Sequence, residues 1–237
     1  LNVSPDSARP YSGIAFLIFG RLLPATVFLF LVSVQVELLA PELKLAYKDA
    51  TNVEVITLIV NRLLFLAFAG GIALIYVARK PPTVGRRDPI AFVVAMYASF
   101  VLLTLRPVGD LVNAPVAFNS SQAALVFSNV LLITGFGFAA YSLAYLRFNF
   151  SILPEARGIV TGGPYGLVRH PIYLGEIIGG FGLVVSLASW FSVAVLISFV
   201  AAQLYRTHIE EAILVQGIPG YASYRLLTPF RLIPGVI

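Results

Sequence analysis

Cysteine is absent from this 237-residue chain, and histidine occurs only twice. Without cysteine there are no disulfides, thiolate metal sites or cysteine nucleophiles, and the compartment stays open. Two histidines without cysteine do not make a zinc site. Charge is also scarce. Only 11% of residues are Asp, Glu, Lys or Arg, against about 25% in an ordinary soluble domain. Such a chain cannot cover a water-facing surface, and its mean hydropathy of +0.90 agrees. An integral membrane protein is the class that remains. The apolar runs are long and do not alternate strictly, which excludes a membrane barrel. The net charge of +5 does not point to nucleic acid, because in a membrane protein the position of the basic residues matters more than their sum.

In lipid every backbone amide must find its partner within its own segment, so each long apolar run reads as a helix. A crossing needs about 20 residues. Six candidates follow, at 13–40, 55–78, 89–105, 122–146, 172–188 and 190–209. Residues 1–12 do not read as a signal peptide, because the apolar segment after them is too long and lacks a small-residue cleavage site. Arg9, Arg21, Arg79, Lys80, Arg86, Arg87, Arg147, Arg157, Arg169, Arg206, Arg225 and Arg231 all fall on one side of a six-helix arrangement. Lys44, Lys48 and Arg106 fall on the other. The positive-inside rule then puts both termini and the 147–171 loop in the cytoplasm. The expected fold is an all-α membrane protein of about six spans, with helices one to three in residues 1–121 and a core in residues 122–237.

Polar chemistry concentrates in 158–175, a glycine-rich passage that contains Arg169, His170 and Pro171. Three glycines in 158–163 permit close approach of a ligand, and Pro171 suits the first turn of the fifth helix. The alternative is a basic loop that anchors lipid headgroups. Around Ala188-Ser189-Trp190 the connection is very short, so helices five and six form an antiparallel hairpin. The hairpin should return Arg206, Glu210 and Glu211 to the face where His170 and Tyr173 lie.

Arg206 and Glu210 are four residues apart and share a helix face. They read either as a site or as an ion pair where the helix leaves the membrane, and His208 sits beside them. Ionisable groups there face protein or water, not lipid. Glu176 can hold a cationic ligand group or pair with Arg169 or Arg206. Gly175, Gly179, Gly180 and Gly182, with Gly135 and Gly137, read as close helix packing. Asn61-Arg62 reads as a helix–helix contact. No G-x-G-x-x-G follows a strand, so a Rossmann site is unsupported.

Three ordered blocks carry a resemblance: 146–157, then Val160-Thr-Gly-Gly-Pro-Tyr165, then Val168-Arg-His-Pro-Ile-Tyr-Leu-Gly175. With Arg206-x-x-x-Glu210-Glu211, Tyr221-x-x-Tyr224 and Arg231-Leu-Ile-Pro234, they resemble the isoprenylcysteine carboxyl methyltransferase family and the related phospholipid methyltransferases. The resemblance spans roughly residues 146–237. It implies S-adenosylmethionine as cofactor, held by Tyr165, His170, Pro171, Tyr173, Leu174, Gly175 and Glu211. It also implies catalytic roles for Arg206 and Glu210, where the acceptor would meet the cofactor. One departure is Gly217-Ile-Pro-Gly220, where the family commonly has Phe-Gly, and this bears on the C-terminal cap.

The expectation is methyl transfer to a lipophilic acceptor reaching the site sideways from the bilayer, with membrane lipids as its surroundings. A prenylated cysteine carboxylate is the first choice of acceptor. A phospholipid or lipid amine is the nearest rival, and a nicotinamide-dependent membrane reductase or a small transporter the more distant ones. A transporter would carry ionisable residues near the mid-plane of several helices, whereas here they gather at one face.

Overall fold

The computed structural model describes residues 13–82, 84–85, 88–115, 121–153 and 155–236, without the side chains of residues 84, 85, 106, 107 and 110. Arg9, Arg86, Arg87 and residues 1–12 lie outside the described residues, and the side chain of Arg106 is likewise not described.

A π-helical stretch, Phe16–Leu22, runs into α1 (Leu23–Lys48). There follow α2 (Val53–Ala78), α3 (Pro89–Leu111), α4 (Gln122–Leu146), α5 (Pro171–Leu187), α6 (Trp190–Gly217) and a short α7 (Tyr221–Leu227). The expected all-α architecture is present. One addition is a two-residue antiparallel ladder between β1 (Val84–Gly85) and β2 (Glu155–Ala156).

Among the described residues, four helical stretches, 16–48, 53–78, 122–149 and 190–217, are long and apolar enough to cross a membrane. The apolar parts of α3 and α5, 89–105 and 171–187, are shorter. Around the bundle many large apolar side chains are exposed, among them Phe19, Phe30, Phe127, Ile133 and Ile197. In water such a surface would drive association, whereas in a bilayer it is the lipid contact.

Local chemistry sets the boundaries. The Asn52 side chain accepts from the amides of Glu54 and Val55, capping α2. Ser121 and Ser189 do the same for α4 and α6. Such caps satisfy amides that the helix itself leaves free. The α5–α6 connection is as short as expected: Ala188 takes a left-handed conformation, φ 47°, and Ser189 caps α6 at once.

Helix α1 outruns its expected end at residue 40. Pro41 lies inside it, and Glu42 beyond is buried. Arg62 on α2 donates to Glu42 and to Gln35, each at 2.6 Å. This pair joins α1 to α2 and is the helix–helix contact expected at Asn61-Arg62.

The closest seam is α4 against α5. A Cβ added at Gly135 would lie 2.3 Å from the Gly179 amide nitrogen, and one at Gly175 would lie 2.6 Å from the Gly135 carbonyl oxygen. Only glycine lets the two backbones meet like this. Ser128 Oγ donates to the Gly182 carbonyl at 2.8 Å and closes the far end of the seam. Gly137 differs from expectation: nothing lies within 4 Å of its would-be Cβ, so it takes no part in the packing. The core cluster draws Phe28, Ala73, Ala95, Ala139 and Tyr173 from α1 to α5 into one body.

Candidate functional site

The hairpin positions the site. Pro171 starts α5 without needing a backbone donor, and α6 returns antiparallel to it, so residues far apart in sequence meet at one end of the bundle. The Tyr173 hydroxyl donates to Glu210. The Arg206 guanidinium lies over the Tyr173 ring, 4.6 Å from its centroid. The His170 ring stacks with that of Tyr173, parallel within 5° at 5.6 Å.

Arg206 is buried, with only 5% of its surface exposed. It donates to the Ile152 carbonyl at 3.0 Å and to Gln203 Oε1 at 3.3 Å. Glu210 Oε1 stands 3.8 Å away, and the buried Arg206 Nε has no partner. Gln203, completely buried, donates in turn to Glu176. Glu176 therefore accepts from Gln203, whose side chain in turn accepts from Arg206.

Glu211 faces a second cluster. It accepts from Arg169 Nε at 2.7 Å, while Arg231 and Arg225 approach at 3.3 and 3.7 Å. His170 Nε2 is 3.3 Å from the same carboxylate, but out of line for a hydrogen bond, and is left without one. Arg169 also donates to the carbonyls of Thr228 and Pro229. Backbone bonds from Arg169 to Phe230 and from His170 to Arg231, both 3.0 Å, stitch the C-terminal segment to the start of α5. The Gly217-Ile-Pro-Gly220 departure is accommodated: Gly220, at φ 86°, turns the chain into α7.

A cavity of about 100 Å³ opens beside these residues. Tyr165, His170, Tyr173, Glu210, Tyr221 and Arg157 are in its wall. Three buried polar atoms there lack partners: Tyr165 Oη, His170 Nε2 and Arg157 Nη1. Burial holds the Tyr165 phenol well above its usual range, so it stays protonated and can donate. Burial likewise pushes Tyr224 up to about 12, and its hydroxyl donates to the Tyr165 carbonyl at 2.6 Å. Unsatisfied buried polar groups are costly, so a wall with three of them is suited to a polar ligand.

The expected residues thus divide by position. Tyr165, His170, Tyr173 and Glu210 line the cavity. Arg206 packs against Tyr173 from the α6 side, and Glu211 sits in the arginine cluster. Pro171 is buried at the start of α5. Leu174 packs into the helix core and Gly175 into the α4–α5 seam. His208 is exposed on α6.

Sequence reasoning did not find Gln203, the Ile152 carbonyl or the latch over the 151–157 segment. In that latch Arg79, buried over the Tyr76 ring at 4.1 Å, donates to Gly20 O at 2.6 Å and to Ser151 Oγ at 3.2 Å. Arg157 donates to Lys80 O at 2.9 Å and to Glu155 at 2.7 Å. A glutamine inside an apolar helix three residues before an arginine was the available signal for Gln203. Arg79 carried none beyond its place at a helix end.

No curated protein matches the chain. Residues 123–217, from α4 to the end of α6, match the family described as phospholipid methyltransferase. The seam, the hairpin, Arg206 and Glu210 all lie within that match, and it supports a membrane methyltransferase. By this match the α4–α6 segment is similar to the phospholipid methyltransferases, which are of the isoprenylcysteine carboxyl methyltransferase type of membrane methyltransferases.

Proposed function

We propose that the protein transfers a methyl group from S-adenosylmethionine to a lipophilic acceptor at the cytoplasmic membrane face, and that the acceptor is a carboxylate of the prenylated-cysteine type. The observation that carries this reading is the cavity wall. Arg157, Tyr165 and His170, each with a buried side-chain atom that makes no hydrogen bond, line a space whose edge is formed by Tyr173 and Glu210, with His170 Nε2 lying 3.3 Å from Glu211. These groups fit a polar, zwitterionic cofactor with ribose hydroxyls. Arg157 suits its carboxylate, Glu210 its ammonium, and Tyr165 and His170 its remaining polar atoms. Tyr221 and Tyr224 add aromatic surface to the same wall. When bound, S-adenosylmethionine supplies an activated methyl group on a sulfonium.

The chain's own residues supply position and dryness. Displacement at a methyl carbon needs alignment more than a base. Arg206, held by Tyr173, Ile152 and Gln203, keeps one nitrogen free to donate to an acceptor carboxylate. Guanidinium–carboxylate bonds are charge-assisted and fix orientation. With that cofactor held by Arg157, Glu210, Tyr165 and His170, its methyl group would pass to the carboxylate oxygen held by Arg206, giving a methyl ester and a neutral thioether. No proton moves.

A lipid amine is the second reading, favoured by the family description and by Glu210 beside Arg206. An amine must lose a proton, so Glu210→Gln would then abolish activity, and the rate would rise with pH.

The test is calorimetric binding of S-adenosylmethionine and S-adenosylhomocysteine to the detergent-purified protein, with His170→Ala and Tyr165→Phe alongside. Micromolar binding weakened at least tenfold by either substitution is the expected result. Absence of binding to folded wild-type protein overturns the reading.

A further inference from the structure

The larger of the two cavities described here lies within the bundle, not at its loop end. Its volume is about 210 Å³. It follows α5 from Glu176 to Leu187, a climb of about 16 Å at the helical rise. Its walls are apolar: Leu64, Phe65 and Phe68 from α2, Leu102 and Leu103 from α3, and Phe199 from α6. Helices α1 to α3, which lie outside the family match, build much of it.

The two ends are polar. At the inner end is Glu176, which Gln203 joins to Arg206. At the other are Gln35, Asn61 and Arg62. Arg62 is already neutralised by Glu42 and bonded to Gln35. Asn61 differs, because its Oδ1 is buried and has no partner. An orphaned acceptor inside a membrane helix bundle is expensive unless something donates to it. The surrounding charge is balanced, so a neutral donor fits better than a cation.

We infer that this cavity holds the apolar body of the methyl acceptor, and that Asn61 receives a hydrogen-bond donor, a hydroxyl or amide N–H, at the acceptor's far end. The assignment rests on the methyltransferase reading for the word acceptor, and on the cavity alone for the ligand's shape. A plain hydrocarbon tail would fill the walls and leave Asn61 unpaired. A tail with a terminal donor satisfies it, so Asn61 selects among lipophilic acceptors by what their tails carry. Glu176 limits the inner end, and the reactive group passes it towards Arg206.

Neutral probes test the cavity without the cofactor. Dodecanol and its methyl ether, which lacks the O–H donor, are titrated into wild-type protein in nanodiscs and followed by calorimetry. One neutral buried hydrogen bond should favour the alcohol by about five- to tenfold. Asn61→Leu should remove that preference and leave ether binding intact. Leu103→Trp, which fills the cavity from α3, should weaken both probes at least tenfold. S-adenosylhomocysteine binding, which belongs to the loop-end cavity, should be unchanged in both variants. Equal binding of the two probes to wild type, a preference that survives Asn61→Leu, or indifference to Leu103→Trp overturns the inference. Failure of S-adenosylhomocysteine to bind wild type overturns the methyltransferase reading and the acceptor role with it. It is recognised separately, because the probe titrations contain no cofactor.

Discussion

Two buried arginine–glutamate pairs sit side by side at the loop end, and they are built in opposite ways. Arg169 meets Glu211 at 2.7 Å through Nε and donates from Nη1 to the carbonyls of Thr228 and Pro229. Arg231 and Arg225 surround the same carboxylate. Arg206 stands 3.8 Å from Glu210, keeps Nε without a partner and rests on an aromatic face. A saturated pair holds a chain segment still, whereas an unsaturated one has donors left for a ligand. Sequence alone put Arg206, Glu210 and Glu211 in one motif, yet α6 turns the two glutamates to different neighbours.

The sharpest way to break the comparison is to remove each arginine. Arg169→Met leaves Glu211 short of its closest partner and frees two carbonyls of the C-terminal segment. Breaking a buried pair costs about 3–5 kcal/mol. Arg231 remains nearby, so the lower end, about 3 kcal/mol, is expected. Thermal unfolding in detergent should show a large loss of stability. An unchanged midpoint would deny Arg169 its clamping role.

Arg206→Met should do the reverse. Its methyl-transfer rate should fall about a hundredfold, since misplacing a reactant costs that much, while S-adenosylhomocysteine still binds and the unfolding midpoint moves little. Measured turnover near wild type would place the acceptor elsewhere. If both substitutions destabilise alike, the two arginines are equivalent and the contrast drawn here fails.

Much of this arrangement was legible beforehand, for physical reasons. The hairpin could be read because Ala188-Ser189 interrupts two apolar runs, and a two-residue break permits only an antiparallel return. The α4–α5 seam could be read from glycines, because close backbone approach needs them. Contacts made by the backbone could not be read. Ile152 offers its carbonyl to Arg206, and Gly20 offers its own to Arg79, and no side chain announces either. Glu42 escaped because the expected helix stopped at residue 40, whereas the helix continues through Pro41, which deletes only one ladder bond. Gly137 was misplaced for a simpler reason: two residues from Gly135, it points away from α5.

The smallest effect separates position from charge within the unsaturated pair. Tyr173 touches both partners: its ring supports the Arg206 guanidinium and its hydroxyl donates to Glu210. Tyr173→Phe keeps the ring and deletes only the hydroxyl. One hydrogen bond to a charged group contributes about 1.5–3 kcal/mol. Glu210 is partly exposed and open to water, so about 1 kcal/mol is expected, roughly a fivefold loss of rate. Tyr173→Leu removes the ring as well, and Arg206 then loses its stacking surface. Its rate should therefore approach that of Arg206→Met. Steady-state assays of the two variants in one membrane preparation decide the matter. If Phe and Leu are equally slow, the hydroxyl sets the geometry through Glu210. If Phe is nearly as fast as wild type and Leu is slow, the ring sets it, and the unsaturated arginine owes its readiness to an aromatic seat and not to its glutamate.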